Sequence, residues 1–375
     1  MNCRSQAPAK LCGASSRKML AKKVLTVLDI ETKPPGVPRA PEAAELVEVA
    51  QDVFWTRIPL PGKLNHINIW LLREEDGFSV VDTGMHTPEA KAAWELLFSS
   101  LPEDMPVRRV FVTHLHPDHV GMAGWLMERG AEEFWMTRLE YLTSRVLVAQ
   151  SHDSTVPGDI TAFFRAAGWP ETVLESYHDH YHNYGRLVSP LPRSFSRLQE
   201  GQRHIIGGRS WRVVIGNGHS PEHACLYCED DKLLISGDQV LPGISSNVSV
   251  TPLEPAANPM ADWLASLRKL KSEIPDDVLV LPAHQRCFTG LHERIDSLLA
   301  DQEKALNELR RALESGPKRV VDVFAVLFGR VITEESFMIY SLATGEALAC
   351  LNYLAELGEV GSSIDTQRVR WYHLR

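Results

Sequence analysis

The chain has 375 residues, of which 44% are hydrophobic and 23% are charged, and its formal net charge is −9. This composition is typical of a globular protein and excludes a mostly disordered or collagen-like chain. No apolar run in the sequence reaches the roughly 18 to 20 residues that a membrane-spanning helix needs, so no membrane partner is expected. The acidic excess argues against electrostatic capture of nucleic acid.

The N-terminal region differs in composition from the rest of the chain. Residues 1–28 carry six basic residues and no acidic one, and residues 33–38 read Lys-Pro-Pro-Gly-Val-Pro, which is typical of a linker. We therefore expect residues 1–41 to form a flexible extension. An organelle presequence, or a start codon placed upstream of Met19, remains an alternative. Six cysteines without framework spacing favour free thiols and a reducing, cytoplasmic location.

Residues 42–287 alternate between short apolar runs and helical patterns. Strands are predicted at Asn68–Leu72, Phe78–Val81, Val107–Val112, Trp211–Ile215, Ala224–Cys228, Lys232–Ile235 and Val278–Leu281, and helices at Pro88–Ser99 and Ala261–Lys271. Residues 137–195 have helical stretches but little strand signal, so we interpret them as a helical insertion. Polar clusters follow the strands, which indicates a layered α/β domain with its site at strand C-termini.

Residues 288–375 are mostly helical. Helices are predicted at Glu293–Ser315, Val320–Phe328 and Ser336–Leu357, and a strand at Arg368–Tyr372, which together suggest a winged-helix-like domain. Residues 286–375 hold 11 basic and 13 acidic residues, a balance that does not match a nucleic-acid backbone. We therefore expect this domain to cover the active site or to form a homodimer.

One segment concentrates four candidate metal ligands within six residues. It reads His114-Leu115-His116-Pro117-Asp118-His119 and directly follows an apolar strand. Residues two apart converge only where the chain is extended, which suits His114 and His116 in a loop that leaves a strand. Asp118 and His119 would then begin a helix, whose N-terminus favours an anion. Neutral imidazole and carboxylate are the ligands that zinc takes in catalytic sites.

Three further ligand-type residues stand alone, and each follows a predicted strand. They are His219 in a glycine-rich turn, Asp238 in Ser-Gly-Asp, and His284 in Leu-Pro-Ala-His. Together with the first segment they supply five histidines and two aspartates. Two metals that each bind three residues of their own and share one bridging carboxylate need seven protein ligands, and the number agrees.

The motif His-x-His-x-Asp-His, followed by a distant His, Asp and His, resembles the metallo-β-lactamase-fold hydrolase superfamily over about residues 53–290. The resemblance implies a four-layer αββα fold with two zinc ions. One ion would bind His114, His116 and His219; the other would bind Asp118, His119 and His284; and Asp238 would bridge them. Asp82 in Val-Asp-Thr-Gly matches the upstream motif and would orient a ligand histidine. Val120-Gly121-Met122-Ala123-Gly124 departs from the two glycines that many members have after this histidine.

The C-terminal pattern is more similar to a glyoxalase II-like or thioesterase-like subgroup that carries a winged-helix-like domain. We expect a hydrolase that cleaves a carboxylic thioester, ester or lactone of a small acyl substrate through a hydroxide bridging the metals, with Asp118 accepting its proton. Iron or manganese could replace zinc. A phosphodiesterase or endoribonuclease, and a metal-binding scaffold without turnover, are the alternatives.

The predicted insertion is aromatic and is our candidate for the substrate pocket. Its tyrosines would provide an apolar wall with hydroxyl groups, and the pocket candidates are Tyr141, Tyr177, Tyr181 and Tyr184. Three histidines of the same segment, His178, His180 and His182, could form a third metal site. We favour the alternative that they lie near the mouth of the pocket or on the surface.

Overall fold

A computed structural model describes residues 37–181, 183–335 and 337–375. The first 36 residues of the predicted extension therefore lie outside the described part of the chain, as does His182. No described helix is long and apolar enough to cross a membrane.

The first sheet has seven strands in the order of the sequence. They are β1 Val47–Ala50, β2 Val53–Pro59, β3 His66–Arg73, β4 Phe78–Val81, β5 Val107–Phe111, β6 Glu133–Met136 and β7 Ser196–Arg197. Strands β1 to β4 pair antiparallel, whereas β4 to β7 pair parallel. The parallel half is the part from which loops and helices leave at one edge of the sheet.

The second sheet has five strands in the order β12-β11-β10-β9-β8. Their bounds are β8 Arg203–Ile206, β9 Arg209–Gly216, β10 His223–Cys228, β11 Leu233–Gly237 and β12 Leu279–Pro282. Only β11 and β12 pair parallel; the other neighbours are antiparallel.

Eleven helices are present in the described residues. They are α1 Pro88–Ser100, α2 Pro117–Val120, α3 Ala123–Glu128, α4 Arg138–Gln150, α5 Gly158–Ala166, α6 Glu171–His180, α7 Asn183–Leu187, α8 Pro259–Glu273, α9 Leu291–Glu314, α10 Phe324–Phe328 and α11 Phe337–Glu356. Helix α1 begins at the cap Thr87, whose side chain accepts the Ala90 N–H at 3.1 Å, and a proline follows the cap.

The hydrophobic residues divide into layers that explain the continuous apolar strands. On β3, Ile69 and Leu71 face a core shared with α1, α3 and α4, whereas Trp70 and Leu72 face a core shared with the second sheet. The outer face of the second sheet packs against α8, α9, α11 and the helices α5 and α6. Because both faces of each sheet are covered, the central strands such as β3, β4, β10 and β11 are buried along nearly their whole length, and the layer order is the predicted αββα.

The C-terminal region contains α9, a 3-10 turn at Val320–Val323, α10, α11 and a hairpin of β13 Val360–Ile364 with β14 Arg370–Leu374. The helix predicted at Val320–Phe328 is instead divided between the 3-10 turn and α10. The winged-helix interpretation stays a prediction.

Candidate metal centre

The first candidate ligands lie in the loop between β5 and α2. His114 is fully buried, and His116 has extended backbone angles (φ −60°, ψ 144°) at the cap of α2. Pro117 then begins the helix, and Asp118 and His119 lie in its single turn. The chain therefore changes from extended to helical within this loop, as the spacing of the ligands predicts.

The other three candidates follow strands of the second sheet. His219 lies after β9, Asp238 directly after β11, and His284 two residues after β12, and all three are buried. The structure brings all seven predicted residues to one place at the edge of the two sheets. Donor atoms lie within 4.8 Å of one another in three groups: His114, His116, His219; His114, His119, Asp238; and Asp118, His119, His284.

Asp238 lies between the two outer groups. Its Oδ2 atom is 3.5 Å from both His119 Nε2 and His219 Nε2, and its Oδ1 atom is 3.5 Å from His284 Nε2. Asp118 Oδ2 is 3.3 Å from His284 Nε2. This arrangement matches the one that the family resemblance implies, with Asp238 in the bridging position. The role of each residue as a metal ligand stays a prediction.

Part of the cluster already has the protonation that metal binding requires. Burial and neighbouring imidazoles hold the pKa of His114 well below its usual value and lower the pKa of His116 to about 3, so both rings are neutral. Burial would raise the pKa of Asp118, but His119 and His284 outweigh it and lower the pKa to about 2. The pKa of His119 is raised because its three carboxylate neighbours outweigh burial. The neutral rings of His114 and His116 and the ionised Asp118 are in the form that binds metal, whereas His119 would give up its proton to a bound ion.

Two observations test whether a cation fits here. His114 Nε2 lies 2.8 Å from His116 Nδ1 and 3.2 Å from His219 Nε2, so three ring nitrogens face one another. His119 Nε2 and Asp238 Oδ1 are buried without a hydrogen-bond partner. Buried polar atoms are normally satisfied, and bound metal ions would satisfy all of these atoms. The side chains of this cluster are therefore suited to bind metal cations.

Asp82 holds the first loop in place. Its Oδ2 atom lies 2.8 Å from His119 Nδ1, and its Oδ1 atom accepts the Thr113 N–H at 2.8 Å. With Nδ1 engaged, His119 Nε2 points into the cluster. This contact corresponds to the orienting role that the resemblance implies for Asp82.

Sequence reasoning missed two buried residues that support the site. His223 at the start of β10 accepts the Asp238 N–H at 3.0 Å through Nε2. Glu140 on α4 accepts from the Leu115 N–H at 2.9 Å, the Glu222 N–H at 2.7 Å and the Ser220 hydroxyl at 2.6 Å, so it joins the two loops that carry His116 and His219. His223 lies four residues after His219 and could have been suspected; Glu140 has no distinguishing signal.

A cavity of about 680 Å³ opens beside the cluster and is bounded by His116 and His219. Its opposite wall is apolar and comes from helices α5 to α7 of the predicted insertion and from helix α11, with Ile160, Phe164, Tyr177, Tyr181, Tyr184, Phe337 and Leu342. The prediction of Tyr141 as a pocket residue is wrong. Its ring stacks on Phe195 at 4.1 Å and its hydroxyl donates to the Pro192 carbonyl, because it lies on the buried face of α4.

The tyrosines of this wall have structural contacts of their own. The Tyr184 hydroxyl donates to the Leu115 carbonyl at 2.6 Å, next to the first candidate ligands. His180 lies at the cavity, where its ring stacks on Phe337 at 4.3 Å. The side chain of His178 and all of His182 lie outside the described residues, so the third metal site stays a prediction.

Fold and site together define a class of metal-dependent hydrolases, in which an αββα sandwich presents clustered histidines and aspartates at its strand ends. Residues 62–284 match the family described as the metallo-beta-lactamase superfamily. Residues 306–375 match the family described as metallo-beta-lactamase-like, C-terminal domain. The chain belongs to the metallo-β-lactamase superfamily and is a metallo-hydrolase of this fold.

The similar proteins agree with this assignment. A crystal structure of a β-lactamase domain protein from Burkholderia ambifaria is 38% identical, covers 91% of this chain and 97% of its own, and has a TM-score of 0.82. The probable metallo-hydrolase YqjP of Bacillus subtilis (strain 168) is 24% identical over 306 residues, 79% of this chain and 91% of its own. The human acyl-coenzyme A thioesterase MBLAC2 is 26% identical over 248 residues, 63% of this chain and 79% of its own.

Proposed function

We propose that this metallo-hydrolase binds two zinc ions and cleaves a carboxylic thioester or ester, lactones included, that carries an apolar acyl group. The observation that carries the proposal is the single cavity that joins the candidate ligands His116 and His219 to an apolar wall. A reactive carbonyl at the metal side would leave its acyl chain against Phe164, Tyr177 and Phe337.

The donor set supports zinc, and its arrangement supports two ions. Five imidazoles and two carboxylates are the ligand types that zinc takes, and Asp238 lies within 3.5 Å of donor atoms in both outer groups. When bound, the ions would polarise the substrate carbonyl and make water a nucleophile at neutral pH.

The proton of the reaction would be transferred by a side chain of the protein. Asp118 is ionised at neutral pH and its side chain is 17% exposed, so it can accept the proton of the attacking water. The water oxygen forms the new bond to the carbonyl carbon, and the bond from that carbon to sulfur or oxygen breaks. The proton held by Asp118 passes to the leaving thiolate or alkoxide, which gives a carboxylic acid and a thiol or alcohol.

The charge of the cavity favours this substrate class over RNA. The described residues that line it include the carboxyl groups of Glu254 and Asp262 and a large apolar surface. A phosphodiester backbone needs basic side chains along its path, so the lining supports a neutral acyl group better. The relative named as an acyl-coenzyme A thioesterase supports the thioester reading.

The test is thiol release from acyl thioesters by zinc-loaded protein. Acyl-coenzyme A and acyl-N-acetylcysteamine substrates with matched chains would be compared with aryl esters, lactones and a single-stranded RNA. We expect turnover of the acyl substrates that His116→Ala abolishes and that His152→Ala, an exposed histidine outside the cluster, preserves. Cleavage of RNA alone, or no turnover with two zinc ions bound per chain, would contradict the proposal.

The proposed cytoplasmic location rests on the thiols. The cysteines of the described chain, Cys225, Cys228, Cys287 and Cys350, are all free and buried. Buried cysteines that form no disulfide are typical of proteins from reducing compartments.

A further inference from the structure

A backbone carbonyl from a distant loop fixes the ring of His219. His219 Nδ1 lies 2.7 Å from the carbonyl oxygen of Asn247, so Nδ1 carries the proton and donates it. The other ring nitrogen, Nε2, then presents its lone pair to the cluster. Such a contact sets both the tautomer and the orientation of a ligand histidine.

The loop that supplies this carbonyl also contacts the next candidate ligand. The Ser246 hydroxyl donates to the backbone carbonyl of Asp238. Residues 246–250, which we call the relay loop, therefore hold His219 and the chain at Asp238 together. A shift of the relay loop would move two candidate ligands.

Helix α11 of the C-terminal region holds the relay loop. The Asn247 side-chain amide donates to Glu346 Oε2 at 2.7 Å, and the Val250 N–H donates to the Gly345 carbonyl at 3.0 Å. A Cβ atom on Gly345 would lie 2.6 Å from Ser249 Oγ, so the glycine permits the close approach of helix and loop. Glu346 is thus linked to His219 through one residue, Asn247.

We propose that Glu346 is a positioning residue for the metal centre, acting on His219 through Asn247. Glu346 touches neither a candidate ligand nor the expected position of the substrate carbonyl, and its effect depends on accepting one hydrogen bond. This inference rests on the metal site of the proposed function and not on its substrate. It gives the C-terminal helix a role in metal binding besides its place in the cavity wall.

The test measures metal binding by variants that keep or lose the hydrogen-bond acceptor. Glu346→Ala removes it, and Glu346→Gln keeps an oxygen that can accept from Asn247. Glu356→Ala is the matched control, since Glu356 lies on the same helix and also accepts from an asparagine, Asn258, at 2.5 Å. Asn258 caps α8 and does not contact a candidate ligand.

Zinc affinity would be measured by competition with a chromophoric chelator, and the ligand field by the visible spectrum of the cobalt(II) protein. We expect Glu346→Ala to lower the affinity for one of the two zinc ions by about tenfold, the lower end of the range for residues that hold a ligand histidine. The absorption bands of the cobalt(II) protein should shift as well. Glu346→Gln and Glu356→Ala should remain within about twofold of the wild type, since neither removes the acceptor for Asn247.

Unchanged affinity and spectrum in Glu346→Ala, or an equal loss in Glu346→Gln, would overturn the proposal. If Glu346→Ala does not fold, Asn247→Ala takes its place, because it removes the same hydrogen bond and leaves the backbone carbonyl. Where both single variants fold, the double variant should bind zinc no more weakly than either of them. Failure of every thioester assay would leave these outcomes intact, because they read metal binding alone.

Discussion

The two walls of the cavity are built by different kinds of contact. On the metal side, directional hydrogen bonds fix each ring, such as Asp82 to His119 at 2.8 Å and Asn247 to His219 at 2.7 Å. On the opposite side, the wall residues Phe164 and Phe337 both pack against the buried ring of Trp169, with centroid distances of 4.2 and 5.8 Å. Metal binding requires exact placement of single atoms, whereas an acyl chain needs only apolar surface of suitable shape.

Removal of the metal ions should break the metal side and leave the aromatic side intact. We expect chelation to lower hydrolysis by at least about 1,000-fold, because the Lewis-acid and nucleophile-generating chemistry is lost together. Far-ultraviolet circular dichroism should stay unchanged, since both sheets and the aromatic wall are held by packing. Activity measured before and after chelation, and again after added zinc, checks this. Full activity without metal would contradict it.

Asp82→Asn should weaken zinc binding without removing any candidate metal ligand. Asparagine tolerates the left-handed backbone at this position (φ 62°), but its amide group cannot replace a carboxylate as acceptor for both Thr113 and His119. We expect zinc affinity to fall by about 10- to 100-fold, measured by chelator competition. Asp76→Asn, in the exposed turn between β3 and β4, is the control and should bind zinc as the wild type does.

Glu346 lies on the helix that joins the two sides, and its titration should be visible in stability. Burial raises the pKa of Glu346 from 4.5 to about 7, so the folded protein holds this proton more tightly than the unfolded chain. Its stabilising contribution is therefore complete below pH 4.5 and is lost as the pH rises through 7.

The glutamine side chain in Glu346→Gln does not titrate. The free energy of unfolding of the metal-free variant should therefore increase relative to that of the metal-free wild type as the pH rises from 4.5 through 7. We expect a gain in the free energy of unfolding on the order of 2 kcal/mol at pH 8 and almost none at pH 4. Urea unfolding at both values checks this, with Glu356→Gln as the control. An equal difference at both pH values would show that the carboxyl group does not titrate in this way.

Phe337→Ala should change the aromatic side with the smallest effect. Its ring contacts Trp169, Tyr177 and His180, and losing part of this surface costs about 1 kcal/mol of binding. We expect KM for a long acyl chain to rise about fivefold with kcat unchanged, and KM for a short chain to change little. Phe328→Ala on α10, which lies outside the cavity lining, is the matched control. An equal rise for both chain lengths would contradict the placement of the acyl group.

Secondary structure was predicted correctly where the sequence pattern that specifies it lies within the segment itself. The helix predicted at Pro88–Ser99 is present with one residue more, and the strand Phe78–Val81 has the predicted bounds, because periodicity, caps and turns lie within each segment. Strands such as β1 and β13 were not predicted. Their mixed polar sequences become strands only because a neighbouring strand supplies the hydrogen bonds.

The direction of a side chain was the least predictable feature. Tyr141 and Tyr177 are both aromatic residues of the insertion, yet Tyr141 points into the core beneath the first sheet and Tyr177 lines the cavity. A tyrosine in a helix is compatible with either position. Only the packing of α4 and α6 against their neighbours decides between them.

The sequence by itself determined the donor types, their order and their positions after strands, because the first ligand loop is one short segment and each later candidate follows an apolar run. Tertiary structure alone decided which residues hold those donors. Glu140 joins two loops, and Asn247 meets Glu346 across 99 positions of chain. Contacts between residues so far apart in the chain produce no local pattern in the sequence. They form only when the layers of the fold pack together.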